Sequence, residues 1–297
     1  MKIPSFWARQ NVNGVVAYGW SFTSQAEAEE NARASALQIA DRLAAGILRE
    51  RGKMYYADRP VREPIMREFR DRAGEVNALL TRNIYGALVL NTANALFVDV
   101  DFPETKTEPP TPLVAEGCLA LFTSLFPAKW MRPPTPAPLS APPPDPVEAI
   151  VNRAHAWAEA NRPWQWRIYR TKAGVRLLAT HALFETDSPE VARVFEALGA
   201  DPLYRKLCGS QQCFRARLTP KPWRCNYEAP TTRWPFPTAE AEQEFNLWWD
   251  TYLFLSKEYA TCELVESRED VPVHPDLTEI VAFHDASTRV GSGLPLA

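Results

Sequence analysis

Two aspartates separated by one residue, Asp99 and Asp101, form the pattern with the clearest chemical meaning. They end the apolar stretch ALFVDVD at 95–101, which predicts a β-strand. Residues i and i+2 of a strand point to the same face, so the two carboxylates would lie side by side and repel each other. A divalent cation would remove that repulsion, and we therefore expect the pair to bind Mg²⁺ or Mn²⁺ for phosphoryl transfer. The alternative is a solvated strand end.

Basic residues are concentrated in two segments that contain no acidic residue. Segment 162–176 has five lysines and arginines, and segment 205–224 has six. Both segments also carry tryptophan, tyrosine or phenylalanine, and arginine beside aromatic rings is typical of sites that bind phosphate and stack bases. The alternative places the aromatic residues in the core and the arginines on a solvated face. The predicted substrate-binding residues are Arg170, Lys172, Arg215, Arg217, Lys221 and Arg224.

The elements that must position these residues follow a βαββαβ order, typical of an antiparallel ferredoxin-like or RRM-like sheet. In that arrangement the first and third strands are usually neighbours, which would place Arg176 beside Asp99 and Asp101. We therefore expect an α+β fold with a palm-like sheet. The predicted elements are a strand at 95–101, helices at 112–126 and 146–161, strands at 164–171 and 175–181, helices at 188–198 and 201–207, and a strand at 214–218.

The chain divides into three predicted parts. Residues 1–75 would form a small N-terminal αβ module, with a strand at 15–22, a helix from the Ser24 capping box to about residue 50, and a short helix at 61–72. Residues 80–225 would form the palm, in which a strand at 87–90 makes a hairpin with 95–101. Residues 226–297 would hold a helix at 239–259 and an irregular tail from 271.

The segment 127–146 is rich in proline, with nine prolines in twenty residues. Such a composition predicts an extended linker or surface excursion within the palm. Binding of a protein partner to this segment is the second interpretation.

Three sequence features resemble the archaeo-eukaryotic primase superfamily, also called primase–polymerases. The family's hhhDhD motif, where h is a hydrophobic residue, matches 96–101 (LFVDVD), and its S-x-x-G-x-H motif is similar to 171–176 (TKAGVR), with Arg176 at the histidine position. A third family motif, hhD on a later strand, corresponds to 214–217 (FRAR), which has no aspartate. The resemblance spans residues 80–225.

The resemblance implies a metal-dependent nucleotidyltransferase that acts on nucleoside triphosphates and nucleic acid. Asp99, Asp101 and Arg176 would be catalytic, and the two aspartates would hold the Mg²⁺ or Mn²⁺. Two other functions stay open. One is a nucleic-acid-binding module without catalysis, and the other is a structural or partner-binding protein in which arginines and aspartates form an internal ion-pair network.

The composition limits the remaining possibilities. The chain has 297 residues and a formal net charge of -3, so it is not a basic protein overall. Its start, MKIPSFWARQ, has no apolar signal core, and we expect a cytoplasmic protein with no membrane segment. Cys208, Cys213 and Cys225 could supply three zinc ligands, but they lack the C-x₂-C spacing of common zinc modules. We therefore expect reduced thiols and no zinc site.

Overall fold

The computed structural model describes residues 1–47, 60–103, 145–267 and 271–297. The predicted helix at 112–126 and nearly all of the proline-rich segment lie outside these residues. The fold is α+β, with antiparallel strand pairing in three sheets. The strands are β1 (Phe6–Val12), β2 (Val15–Ser21), β3 (Ile65–Arg70), β4 (Val76–Arg82), β5 (Leu88–Thr92), β6 (Phe97–Asp101), β7 (Trp166–Thr171), β8 (Gly174–Ala179), β9 (Phe214–Arg217) and β10 (Glu263–Ser267).

The α-helices of the described residues follow the expected capping rules. Ser24 accepts a hydrogen bond from the N–H of Glu27 at the start of the first helix. Asp145 caps the second helix in the same way, and Gly199 ends the third with a left-handed φ of 73°. The helices are α1 (Gln25–Ala44), α2 (Pro146–Ala160), α3 (Pro189–Leu198), α4 (Pro202–Gln211), α5 (Ala239–Ser256) and α6 (Thr278–Thr288).

The N-terminal part is a β1–β2 hairpin covered by α1. The helix lies so close to β2 that a Cβ at Gly19 would come within 2.1 Å of the Ala32 nitrogen. The prediction of a short helix at 61–72 is wrong, because residues 65–70 form β3. Pairing with β4 satisfies the backbone of this segment, and Phe69 is buried against Phe283 of α6; these contacts outweigh its local helical preference.

The central sheet has the strand order β10-β7-β8-β6. Strand β6 pairs antiparallel with β8, and the register sets Asp99 opposite Arg176 and Asp101 opposite Gly174. The prediction that these two strands are neighbours is therefore confirmed. Strand β10 was not predicted. It lies outside β7 at the edge of the sheet and connects the C-terminal part of the chain to the predicted palm.

The second sheet has the order β3-β4-β5-β9, which corrects two expectations. Strand β9, the last strand of the predicted βαββαβ unit, pairs with β5 and not with β6. Strands β5 and β6 belong to different sheets and do not form the predicted hairpin. The reason is that β4 and β9 occupy both edges of β5, so β6 finds its partner in β8.

The main apolar core connects the two four-stranded sheets with α2, α3 and α6, whereas α1 packs on β1 in a separate small cluster. Buried residues of the central sheet, such as Val98 and Leu177, pack with Ile150 of α2 and Val194 of α3. The expected irregular tail from 271 is wrong in part, because it contains α6. This helix is fixed by burial of one face, where His284 is fully buried. None of the described helices is long and apolar enough to cross a membrane.

Candidate carboxylate and anion site

Asp99 and Arg176 form a two-point ion pair between β6 and β8. The Arg176 Nε lies 2.7 Å from Asp99 Oδ1, and its Nη2 lies 3.0 Å from Asp99 Oδ2. The Arg176 side chain is 3% exposed, whereas that of Asp99 is 30% exposed. Burial by itself would lower the pKa of Arg176, but the Asp99 carboxylate outweighs this effect and the net pKa is raised. Arg176 is therefore a fixed cation that already neutralises Asp99.

The rest of the Arg176 guanidinium is also held in place. Its Nη1 donates to the backbone oxygen of Arg217 at 2.9 Å and lies 3.5 Å from the Nε2 of His284. The opposite ring nitrogen of His284, Nδ1, lies 3.1 Å from Asp285. If Nδ1 donates its proton to that carboxylate, Nε2 is left to accept from Arg176. Sequence reasoning missed His284, which sits on α6 in the tail that was expected to be irregular.

Side chains of β7 form a further polar cluster with Asp285 of α6. Its carboxylate accepts hydrogen bonds from Arg167 at 2.5 Å and from the hydroxyl of Tyr169 at 2.7 Å. These residues lie on β7, and together with His284 they continue the polar contacts from Arg176 across the sheet. Arg167, one of the basic residues of segment 162–176, therefore makes internal contacts with α6.

A third carboxylate joins Asp99 and Asp101 at the end of β6. Asp201 precedes α4, its N–H donates to the backbone oxygen of Asp99 at 3.1 Å, and its side chain caps the helix at Tyr204. The pKa of Asp101 is raised by burial and by the nearby charges of Asp201 and Asp99, against the opposing effect of Lys221 and Arg224. Asp99 and Asp201 therefore both lie near enough to Asp101 to act on its charge.

Three cations border these carboxylates. Arg217 has a buried Nη1 atom with no hydrogen-bond partner among the described residues. Burial, followed by repulsion from Arg176 and Arg224, lowers the pKa of Arg217 to about 10. The pKa of Lys221 is also lowered, by burial and by the charges of Arg217 and Arg224. Such a group of like charges favours an anionic ligand that would relieve the repulsion.

An exposed aromatic ring stands beside the cations. Trp223 is 48% exposed in the 3-10 helix Pro222–Cys225, and the Lys221 Nζ lies 5.4 Å from the centre of its ring. Tyr85 packs against the same ring edge-on. The loop after β9 thus presents an exposed aromatic ring next to positive charge. The other aromatic residues of the two basic segments are buried, as the alternative interpretation expected: Trp164, Trp166, Tyr169 and Phe214.

The other predicted substrate-binding residues lie elsewhere. Arg215 is largely buried and forms an ion pair with Glu63 at 2.7 Å, so its role is structural and the prediction that it binds substrate is not supported by its position. Arg170 and Lys172 line a separate cleft on the β7–β8 turn. Three of the six predicted residues lie near enough to Asp99 or Asp101 for their charges to interact: Arg217, Lys221 and Arg224.

Metal-ligating residues do not form a dense cluster in the described part of the chain. No group of three or more histidine, cysteine, aspartate or glutamate side chains there is placed to hold a metal ion. Burial raises the pKa of Cys213 and Cys225 to about 11 and that of Cys208 further, which favours neutral thiols. A metal at the end of β6 would therefore need ligand atoms from a bound substrate as well.

Comparison of the chain with protein families, with curated proteins and with solved structures finds no match. The geometry of the site is thus the basis for any statement about function.

Proposed function

We propose that the end of β6 carries out metal-dependent nucleotidyl transfer of the primase–polymerase type, with a nucleoside triphosphate and nucleic acid as substrates. One observation carries the proposal. Among the described residues, the Nη1 atom of Arg217 is buried without a hydrogen-bond partner. Asp99 lies near enough to act on the charge of Arg217, and Asp101 is affected in the same way by Asp201, Lys221 and Arg224. Adjacent cations and carboxylates are what a metal-bound polyphosphate requires, because phosphate oxygens need positive charge and the metal needs anionic oxygens.

The three carboxylates have different roles in this proposal. Both oxygens of Asp99 accept hydrogen bonds from Arg176, so Asp99 fixes the strand end and leaves Asp101 and Asp201 as the main metal ligands. Mg²⁺ is commonly bound by one or two carboxylates together with substrate phosphates, and this fits a site with no dense protein cluster. When bound, the metal would neutralise the charge of the transferred phosphate group.

The cations and the tryptophan would position the substrate. Arg217, Lys221 and Arg224 would bind phosphate oxygens, and Trp223 would stack on a base. The palm interpretation is supported by the Arg176 Nη1 bond to the Arg217 backbone, which holds β9 against the β6–β8 pair. In this interpretation β6, β7, β8 and β9 correspond to the strands of a ferredoxin-like sheet, except that β9 is hydrogen-bonded to β5.

A nucleic-acid-binding module without catalysis is the second candidate. It is favoured by the Asp99–Arg176 pair, because that carboxylate is compensated without any metal. This function predicts binding that weakens with salt and is unchanged by removal of divalent ions.

The test is incorporation of nucleotides on a primed and on an unprimed template, with Mg²⁺ or Mn²⁺. The variants are Asp101→Asn and Asp201→Asn, and the asparagine at position 201 keeps the helix cap. The matched control is Asp187→Asn, an exposed aspartate away from the site. We expect activity in the wild type and in the control and a loss of at least about a hundredfold in either site variant. Metal-independent oligonucleotide binding without incorporation would instead support the second candidate.

A further inference from the structure

A cleft of about 640 Å³ is lined by none of the carboxylates or cations at the end of β6. We call it the Arg289 cleft. It lies between the β7–β8 turn, the start of β10, the end of α6 and the C-terminal segment. Its volume falls in the range of about 300 to 1,000 Å³ that is typical of small-molecule sites. The residues that decide its chemistry are Arg170, Lys172, Cys262, Glu263, Arg289 and Gly291.

The charge in the cleft is mainly positive. Arg170, Lys172 and Arg289 bring three cations to its walls, against the single carboxylate of Glu263. Burial raises the pKa of the Cys262 thiol to about 11, so this group adds no negative charge at neutral pH. Glu263 lies opposite Arg170 in the β10–β7 register, which leaves Lys172 and Arg289 as the cations in excess. An excess of cations over acids is a feature that binds phosphate groups in proteins.

The backbone on one side of the cleft turns sharply. The φ angles of Arg289, Gly291 and Gly293 are positive, at 62°, 76° and 70°, while the residues between them do not have positive φ. The turn is held by its own hydrogen bonds, because the N–H groups of Val290 and Ser292 donate to the backbone oxygens of Asp285 and Arg289. Glycine at 291 and 293 permits this conformation without side-chain strain.

We infer that the Arg289 cleft is a second binding site, which takes a phosphate-bearing small molecule through Arg289, Lys172 and Arg170. The inference is independent of the proposed nucleotidyl transfer, because it uses none of the carboxylates or cations at the end of β6. It also gives a role to Arg170 and Lys172, two of the residues predicted to bind substrate.

The test is isothermal titration with inorganic pyrophosphate in the presence of EDTA, which removes any metal-bound form. The background protein is Arg217→Met/Lys221→Gln/Arg224→Gln, so that binding by the cations at the end of β6 is suppressed. Into this background we introduce Arg289→Gln or, separately, Lys172→Gln on the exposed turn. The matched control adds Arg193→Gln, an exposed arginine on α3.

We expect the background protein and the control to bind pyrophosphate, and both cleft variants to bind about tenfold more weakly or worse. Thermal melts establish that each variant is folded. The inference is overturned if the folded background protein does not bind pyrophosphate, or if Arg289→Gln and Lys172→Gln bind it as well as the control does.

Discussion

Replacing Asp99 by asparagine tests whether the main role of Asp99 is to balance the charge of Arg176. The substitution keeps the shape of the side chain but leaves the Arg176 guanidinium, 3% exposed, without its counter-charge. Orphaning one member of a buried ion pair costs about 3 to 5 kcal/mol, and the remaining amide oxygen can still accept one hydrogen bond. We therefore expect Asp99→Asn to lower the free energy of unfolding by about 3 kcal/mol.

The double variant Asp99→Asn/Arg176→Met makes the argument sharper. Removing the orphaned buried charge should restore part of the lost stability, so the double variant should be more stable than Asp99→Asn alone. The coupling energy between the two positions should reach about 2 kcal/mol. The assay is urea denaturation followed by circular dichroism, on the wild type, both single variants and the double variant. Additive losses, or an Asp99→Asn protein within about 0.5 kcal/mol of the wild type, would refute the reasoning.

Three other predictions follow from the charges around the site. Because the folded-state pKa of Asp101 is raised, the folded protein holds more protons between the unfolded and folded pKa values, and its stability falls as pH rises through that window. Asp101→Asn should therefore raise stability at neutral pH by a few tenths of a kcal/mol in urea denaturation, and an unchanged or lower value would contradict this. Arg217→Met should stabilise the ligand-free protein by about 1 kcal/mol but weaken the effect of added pyrophosphate in thermal melts. Glu63→Gln should destabilise the protein by about 3 kcal/mol, because it orphans Arg215, while nucleotide affinity measured by titration stays unchanged.

The sequence was most informative where a short local pattern set both the element and the direction of its side chains. The alternation in 96–101 predicted a strand with Asp99 and Asp101 on one face, and the βαββαβ order predicted β8 as its neighbour. The observed register, with Asp99 opposite Arg176, confirms that inference. Capping signals at Ser24 and Asp145 also gave the helix starts correctly, because they depend on contacts within a few residues.

Features that depend on distant parts of the chain were missed. Strand β10 is short and half exposed, and it becomes a strand by pairing with β7 about a hundred residues earlier in the sequence. Arg215 sits in the same alternating pattern as Arg217, yet its partner is Glu63 in a segment with no sequence signal for it. The spacing alone does not show which acid pairs with which arginine, because Arg215 and Arg217 are equally able to face Asp99 and Asp101.

Asp201 illustrates an intermediate case. Its position before Pro202 marks the start of a helix, and the structure confirms that role. Its closeness to Asp99 and Asp101 arises because α4 begins beside the end of β6, which the element order does not specify. A capping aspartate can thus serve the site as well as the helix.

The most direct test of the proposed function is a thermal melt with a nucleoside triphosphate in the presence and absence of Mg²⁺. A ligand that binds the native state must raise the melting temperature. We predict a rise that requires both Mg²⁺ and the triphosphate, that is lost in Asp101→Asn/Asp201→Asn, and that persists in Asp187→Asn. No rise in the wild-type protein, or an equal rise in the folded double variant, would contradict the assignment of a metal–nucleotide site to the end of β6.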